Sequence, residues 1–535
     1  MAATDAVARP RSVLAADGLR TRAIAVAVFV ALSVLYLRWA PLAPDLAAQV
    51  LRTEIVRARG ASSWWTGWYG GMLLPDYSVL SPLWMAWVGV RLAAVLAVGV
   101  TTGAAAVLAR GVRRPRATVL AVGLSSFADI LDGRVTFAIG IAIGALCLVS
   151  IRGRRWPVVP VALAVATYLA SPLAGLFLGL IATAIALCDK ALRVRATAAA
   201  LVLVVTAVGA VLYLPGTGTM PFPARSAVPA AVCSVIVLGA ARARTVRTVA
   251  ALSLLAMAVL LVVPGAIGEN MTRLAWLLAV PALLACSPWR VRWVALAVAV
   301  LTAWPAADLA QQLSAGHTSA SRQSYYQPLI RQLASLQRAT PELGQRLEVL
   351  DTANHWPTVY LSSLSLARGW DRQLDRAVNP IFYQPHLLTP ASYHDWLHSL
   401  AVGWVAVPRA PLDYAARAEA RLVAARPGYL SLVWTNPDWR LYRVTDATSL
   451  ASGARVVAVD GTGIGLQVAR PGPVTLRVHW SPYLLLQQQE TQQPVPVCVA
   501  NQGGFVRLAA VPAGRFELVS HFDPARRLHD PDCAG

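Results

Sequence analysis

Residues 41–82 read PLAPDLAAQVLRTEIVRARGASSWWTGWYGGMLLPDYSVLSP, and a long apolar region lies on either side of them. The stretch holds three carboxylates at positions 45, 54 and 76, a dense aromatic cluster at 64–69 and a glycine pair at 70–71. Polar and aromatic residues held directly against a bilayer are candidates for function. We therefore interpret this loop as the floor of an active site.

The composition predicts a multi-spanning membrane protein. Hydrophobic residues make up 57% of the 535 residues, charged residues only 14%, and the mean hydropathy is +0.55. The net charge of +21 comes mostly from short arginine clusters between apolar segments, as the positive-inside rule expects of cytoplasmic loops. Because no basic face is interleaved with aromatic residues, we expect no nucleic-acid partner.

The apolar segments predict about eleven spans. They cover approximately 23–37, 83–109, 117–128, 135–151, 157–170, 174–188, 196–214, 227–240, 248–263, 271–286 and 293–307. An arginine cluster follows every second segment, which predicts a plasma-membrane protein with a cytoplasmic tail at 1–22 and an extracytoplasmic C-terminal part. Since several segments are shorter than the ~20 residues of a straight transmembrane helix, we expect broken or re-entrant helices.

From about residue 308 the composition becomes that of a soluble protein. Short apolar strands alternate with helical patterns over 308–447, which predicts an extracytoplasmic α/β domain. Alternating residues with frequent turns over 448–535 predict a β-sandwich. Outside the cytoplasm, a disulfide between Cys498 and Cys533 would fix its last strand.

Asp45 is the candidate catalytic base. It lies so close to the first span that partial burial would raise its pKa. A raised pKa suits a general base that takes a proton from a hydroxyl group. The alternative is that Asp45 only caps the helix that begins at Leu46. Glu54 lies among arginines and is expected to pair on a helix surface, while Asp76 is expected to be a turn residue.

Two further outer loops carry charged candidates. Asp129 and Asp132 are spaced to share a helical turn, where carboxylate oxygens would hold Mg²⁺ or Mn²⁺; an ordinary solvated turn is the alternative. Arg273 follows Glu269 and Asn270 at the outer start of a span, and all three are counted as substrate-binding candidates. There it would bind a lipid phosphate, or it would extend toward the headgroups without a specific ligand.

The aromatic residues of the first loop have two interpretations. Rings at an outer site stack on sugars, and rings at a bilayer surface also form an interfacial belt. We count Trp64, Trp65, Trp68, Tyr69 and Tyr77 as substrate-binding candidates.

His394 and His398 stand four residues apart, a spacing at which two imidazoles on one helical face can bind zinc. No third ligand is evident in the sequence around them, so an ordinary surface helix is the preferred interpretation. The chain has no Walker sequence, dinucleotide fingerprint or nucleophile elbow, so nucleotide-driven work and serine hydrolysis have no support.

Taken together, the membrane half resembles the GT-C superfamily of membrane glycosyltransferases. The resemblance covers about 20–310 and rests on Asp45 after the first span, the long first outer loop, Tyr77–Pro82 before the second span, and the acidic second loop. It implies a polyprenyl-phosphate sugar as donor and a glycan, lipid or protein of the cell envelope as acceptor. By position it gives the base role to Asp45, an assisting or metal-binding role to Asp129 and Asp132, and the phosphate to Arg273.

Two other functions remain open at this stage. A multi-pass transporter is one, although the odd number of spans and the missing internal repeat count against it. The other is a non-catalytic relative that binds an envelope lipid or assembles with a partner. Residues 367–375 and 379–383 also resemble the outer domains of a group of actinobacterial multi-pass membrane proteins.

Overall fold

The computed structural model describes residues 27–525 except 28, 154–157, 215, 217, 340–344 and 385. The predicted cytoplasmic tail at 1–22 therefore lies outside the described residues. An apolar helical bundle forms the first part of the chain, and a sheet-rich region follows it. This division is the one that the composition predicts.

The bundle has a helix over each predicted apolar segment. In chain order the helices of this part are α1 (Phe29–Trp39), α2 (Pro44–Arg59), α3 (Leu80–Val88), α4 (Val90–Leu108), α5 (Pro115–Leu131), α6 (Val135–Arg152), α7 (Val158–Ala170), α8 (Pro172–Cys188), α9 (Arg193–Tyr213), α10 (Ala224–Ala240), α11 (Arg244–Val262), α12 (Thr272–Cys286) and α13 (Val291–Gly316). Among the described residues, five helices are long and apolar enough to cross a membrane: α4, α6, α9, α11 and α13.

Two segments differ from their predicted limits. The second span is broken at Gly89, whose φ of +93° ends α3 and begins α4 at a new angle. The last span, predicted to end at 307, continues as helix to Gly316, because the amphipathic residues beyond the apolar part keep the helical conformation. The predicted boundary at 308 therefore falls within a continuous helix.

The two ends of the bundle carry different charges. At one end arginines bind helix C-terminal carbonyls: Arg114 Nη1 donates to Ser287 O at 3.0 Å, and Arg152 Nη1 donates to Leu108 O at 2.8 Å. Cations at helix C-termini are stabilised by the helix dipole. The opposite end carries the acidic loops and the sheet-rich region.

The first outer loop contains a short hairpin of β1 (Trp64–Trp65) and β2 (Met72–Leu73). An α/β domain follows the bundle, with helices α14 (Gln327–Ala339), α15 (Pro357–Tyr360), α16 (Arg372–Val378), α17 (Pro390–Ser399) and α18 (Arg417–Ala424). Its strands are β3 (Arg346–Val349), β4 (Val402–Pro408), β5 (Leu430–Thr435) and β6 (Trp439–Val444), in the order β3-β4-β6-β5. Only the β3–β4 pair of this sheet is parallel.

The C-terminal unit is a pair of four-stranded antiparallel sheets. One has the order β12-β13-β10-β7 and the other β11-β14-β9-β8. The strands are β7 (Ala451–Ser452), β8 (Arg455–Val459), β9 (Gly463–Val468), β10 (Gly472–His479), β11 (Leu484–Gln488), β12 (Val499–Gln502), β13 (Phe505–Val511) and β14 (Gly514–Ser520). Cys533 lies outside the described residues, so its disulfide with Cys498 stays a prediction.

The aromatic cluster of the first loop joins these units to the bundle. Trp64 packs in the core between the two C-terminal sheets, and Trp65 lies against Gly461, where an added Cβ would come within 2.3 Å of the ring. Trp68 lies equally close to Gly369, and the Tyr69 hydroxyl accepts from Asp371 N at 2.9 Å. The cluster is therefore a docking surface for both outer units.

Candidate active site

Asp45 lies in the first turn of α2, at the acidic end of the bundle. The helix N-cap is Ala43, so Asp45 is not the cap residue; a carboxylate in the first turn is still favoured by the helix dipole. One turn later, Gln49 Nε2 donates to Gly133 O at 2.6 Å and Gln49 Oε1 accepts from Thr136 N at 2.6 Å. These two bonds fix the loop between α5 and α6 against α2.

Gly133 is required for that contact. Its φ is +83°, and a Cβ at this position would lie 2.5 Å from Leu46 N. Only glycine combines this backbone conformation with such a close approach. The close contact brings the neighbouring Asp132 and Arg134 beside Asp45.

Arg134 is the centre of the cluster. Its Nη2 lies 2.6 Å from Asp132 Oδ2 and 3.7 Å from Asp308 Oδ2, its Nε lies 3.3 Å from Asp45 Oδ2, and its Nη1 lies 3.9 Å from Asp129 Oδ1. The side chain is only 9% exposed. Buried guanidinium groups require such partners, since an unpaired charge in this environment is costly.

Arg273 approaches the same carboxylate from the first turn of α12. Its Nη2 lies 3.4 Å from Asp45 Oδ2, and its guanidinium stands 5.7 Å from the ring centre of Phe137. Asp45 is 31% exposed and Arg273 17%, so both remain open to a ligand. Asp45, Asp129 and Asp132, which the sequence analysis singled out separately, thus lie around Arg134, and Arg273 pairs with Asp45.

Burial sets the protonation of this cluster. Burial raises the pKa of Asp132 to about 6, although Arg134 acts in the opposite direction. Burial also works against the charge on Arg134, but the carboxylates, Asp132 foremost, raise its pKa above the ordinary value. The guanidinium is therefore permanently charged.

At Asp129 and Asp132, where a divalent cation was predicted, both carboxylates already face Arg134. Arg134 lies between the two carboxylates and supplies the positive charge there, so a cation would first have to displace it. The oxygen Oδ1 of Asp132 is buried without a hydrogen-bond partner among the described residues, which leaves it one free ligand atom. The cation stays a prediction, and no step below depends on it.

An apolar cavity of about 450 Å³ opens beside the cluster, between α5, α12 and α13. Its walls are aliphatic over most of their length, with residues such as Leu124, Leu277 and Val298. Asp129, Asp132, Arg134 and Arg273 line the same cavity and are its charged residues. This lining matches an amphiphile that has a charged head and a long apolar tail.

A second set of charged residues borders the site on the side of the outer domain. Arg52 Nη2 lies 3.0 Å from Asp371 Oδ2, and the Arg52 guanidinium stands 4.2 Å from the ring centre of Tyr77. Burial raises the pKa of Tyr77, and the charges of Arg273 and Arg52 both lower it, so the phenol lies between the two sets. Asp76 lies in a turn, as expected, and burial and Asp371 likewise raise its pKa.

Several predicted site residues lie elsewhere. Trp64, Trp65, Trp68 and Tyr69 are buried in the docking surface described above, which leaves no ring face for a sugar or for a membrane belt. Glu269 and Asn270 belong to the 3-10 turn that leads into α12; Glu269 Oε1 accepts from Ser226 Oγ at 2.5 Å. That turn positions Arg273.

Three members of the site were missed by sequence reasoning: Gln49, Arg134 and Asp308. Arg134 had a readable signal, because it is an arginine on the acidic side and breaks the alternation of basic loops. Asp308 lies in the continuation of α13 that the prediction ended at 307. Gln49 had no signal, since a glutamine on a helix is commonplace.

No family model and no curated protein sequence matches the chain. Among solved structures it is similar to ArnT from Cupriavidus metallidurans bound to undecaprenyl phosphate, with a TM-score of 0.45 and 13% identity over 79% of this chain and 98% of that one. It is also similar to arabinofuranosyltransferase AftD from Mycobacteria, with a TM-score of 0.44 and 13% identity over 93% of this chain and 60% of that one. Similarity of this size assigns no residue, donor or acceptor to this chain.

Proposed function

We propose that this protein is a membrane glycosyltransferase that moves a sugar from a polyprenyl-phosphate donor to a hydroxyl group of a cell-envelope acceptor. One observation carries the proposal: two arginines that line an apolar cavity between membrane helices both pair with a partly exposed aspartate, Asp45. The arginine-rich loops lie at the other end of the bundle, which supports a reaction on the outer face of the membrane by the positive-inside rule.

The donor would bind with its phosphate at Arg273 and Arg134 and its prenyl chain in the cavity. Guanidinium groups bind phosphate oxygens through paired, charge-assisted hydrogen bonds. Arg273 is the more accessible of the two, and Asp45 is its one ion-pair partner in the described part of the chain. The phosphate therefore competes with Asp45 for Arg273.

This competition gives Asp45 its role. Once the phosphate takes over the guanidinium groups, the carboxylate is free to accept the proton of an acceptor hydroxyl. The acceptor oxygen then forms a bond to the anomeric carbon while the bond from that carbon to the phosphate oxygen breaks. The phosphate leaves with the electron pair, and Arg273 and Arg134 stabilise its added charge. Because the donor carries its own leaving group, no nucleotide is needed.

The acceptor would enter from the side of the outer domain. Tyr77, Arg52 and Asp371 border the site there, and they offer hydrogen-bonding groups to a hydroxyl-rich molecule. The described geometry fits a glycan, a glycolipid or a glycosylated protein equally well. The outer units would hold the rest of such an acceptor.

The test is transfer of labelled sugar from a panel of polyprenyl-phosphate hexoses and pentoses, in vesicles supplied with envelope material. Asp45→Asn keeps the size of the side chain and removes the base, so transfer is expected to fall by about 10²- to 10⁴-fold. The matched control is Asp189→Asn, an aspartate that caps a turn at the arginine-rich end. Undiminished transfer by Asp45→Asn would reject Asp45 as the base. Absence of transfer by the unmodified protein with every donor of the panel would instead favour a non-catalytic lipid-binding protein.

A further inference from the structure

Helix α17 carries a pair of histidines that the proposed reaction does not use. His394 and His398 are one turn apart on the same face, and their ring centres are 4.1 Å apart. The structure supplies the third group that the sequence did not reveal: Asp446, in the turn after β6. His394 Nε2 lies 2.9 Å from Asp446 Oδ2, and His398 Nε2 lies 3.2 Å from Asp446 Oδ1.

These separations suit a tetrahedral metal ion. Zinc bonds of about 2.0–2.1 Å place neighbouring ligand atoms roughly 3.3 Å apart. The three candidate ligand atoms all lie within 4.8 Å of one another, so small side-chain rotations would complete the sphere. Two imidazole nitrogens and a carboxylate oxygen form a ligand set that zinc accepts.

A second observation points to a missing ligand. The Nε2 atom of His398 is buried and has no hydrogen bond of acceptable geometry to any described residue, despite its proximity to Asp446. Buried polar atoms are rarely left without a partner. A metal ion coordinated by Nε2 would provide one.

The site is held in place from both sides. Tyr429 packs against His394 with ring centres 4.4 Å apart and donates its hydroxyl hydrogen to Pro390 O at 2.8 Å. The Thr448 hydroxyl donates to His398 O at 2.7 Å. Helix and turn therefore keep their relative position without a metal.

We propose that His394, His398 and Asp446 form a zinc site with three protein ligands and one open coordination position. The ion would tie α17 to residues 445–449, which connect the α/β sheet to the C-terminal pair of sheets. The inference does not depend on the proposed transferase activity. Its expected consequence is a metal-dependent increase in the stability of the junction between the two outer units.

The experiment is a calorimetric titration of ZnCl₂ into the full-length protein, purified in detergent with a histidine-free tag and stripped with a chelator. One zinc ion per chain is expected, with an affinity at least tenfold weaker in Asp446→Asn and in His398→Ala. His386→Ala is the matched control, because it removes another exposed histidine of the same domain. It should bind zinc as the unmodified protein does.

A second readout separates the site from general surface binding. Zinc should slow hydrogen exchange at the amides of 445–449 and raise the melting temperature in the unmodified protein, and do neither in Asp446→Asn. Equal zinc affinity in Asp446→Asn and the unmodified protein would overturn the proposal. So would the absence of any zinc binding at about 100 µM ion, which would show that the two histidines only form ion pairs with Asp446.

Discussion

Arg134 is the residue on which the charge balance of the site depends. One nearly buried guanidinium faces four carboxylates, which come from α2, α5, the loop after α5, and α13. Removing one partner of a buried ion pair typically costs about 3–5 kcal/mol, because the remaining charges stay uncompensated. Arg134 thus holds the cluster together, while the more exposed Arg273 is the one that we propose to bind the donor phosphate.

The candidate residues differ in how far the sequence could reveal them. Asp45 and Arg273 were predictable, because a charged residue at the edge of an apolar segment is informative by itself. The role of Arg134 was not, because its pairing with Asp45 spans 89 residues and becomes visible only when α2 and α6 are packed. Asp308 was hidden for the same reason.

Buried carboxylates predict a pH dependence of stability. Burial raises the pKa of Glu348 and Glu419 in the α/β domain, as it raises that of Asp132 to about 6. Between their ordinary values of about 4 and these raised values, the folded protein binds more protons than the unfolded chain. Stability is therefore greatest at the acidic end of this range and falls as the pH rises through it.

The apparent melting temperature, followed by tryptophan fluorescence, should be lower at pH 8 than at pH 5. Glu419→Gln cannot release the proton but keeps an oxygen for the Tyr393 hydroxyl, which donates to Glu419 Oε1 at 2.8 Å. The variant should show a smaller decrease over the same range. A melting temperature that rises from pH 5 to pH 8 would contradict the assigned direction.

At the scale of elements, the contact between α2 and the α5–α6 loop determines whether the site assembles. Gly133→Ala places a Cβ against Leu46 N and so pushes α2, with Asp45, away from Arg134. Displacements of about 1 Å at a catalytic group can cost roughly 10²-fold in rate, and a loss of this order in sugar transfer is expected.

Gly111→Ala is the matched control for that substitution. Gly111 has a similar φ of +87°, but an added Cβ would meet nothing within 4 Å. In both variants the left-handed conformation of the alanine costs about 1–2 kcal/mol of folding free energy, so both should have a lower melting temperature. Only Gly133→Ala should also reduce the rate of sugar transfer. Equal transfer rates in the two variants would show that the contact between α2 and the α5–α6 loop is not needed for activity.

The elements themselves were largely predictable. Apolar periodicity and arginine clusters located each helix of the bundle, since length and hydropathy are local properties of the chain. The break at Gly89 and the extension of α13 to Gly316 were not, because they depend on packing. The strands Val402–Pro408 and Trp439–Val444 lie within 308–447, where short apolar strands were predicted.

At the scale of the whole molecule, the first outer loop connects all three parts of the chain. Arg52 and Tyr69 reach Asp371 of the α/β domain, and Arg59 reaches Asp460 of the C-terminal unit at 2.9 Å. The sequence analysis expected these arginines to surround Glu54 on the surface of the same helix. Their actual partners are hundreds of residues away along the chain, so local spacing cannot reveal them. Tryptophans of an interface and of a membrane belt also look alike in a sequence, which explains the misassigned rings.

The arrangement leaves two large apolar cavities at opposite ends of the membrane helices. One, of about 450 Å³, ends at Arg134 and Arg273; the other, of about 460 Å³, is lined by Arg152 and Asp189 at the arginine-rich end. A polyprenyl chain could be accommodated by either lining. Only the first cavity has two guanidinium groups at its end, next to the partly exposed Asp45, where the phosphate of a polyprenyl phosphate could bind.

The decisive measurement is an experimental structure of the protein with a polyprenyl phosphate bound. We expect phosphate density within hydrogen-bonding distance of Arg273 and Arg134, beside Asp45, and tail density between α5, α12 and α13. A lipid bound in the other cavity, with Arg273 still paired to Asp45, would contradict the proposed donor site and the glycosyltransferase function built on it.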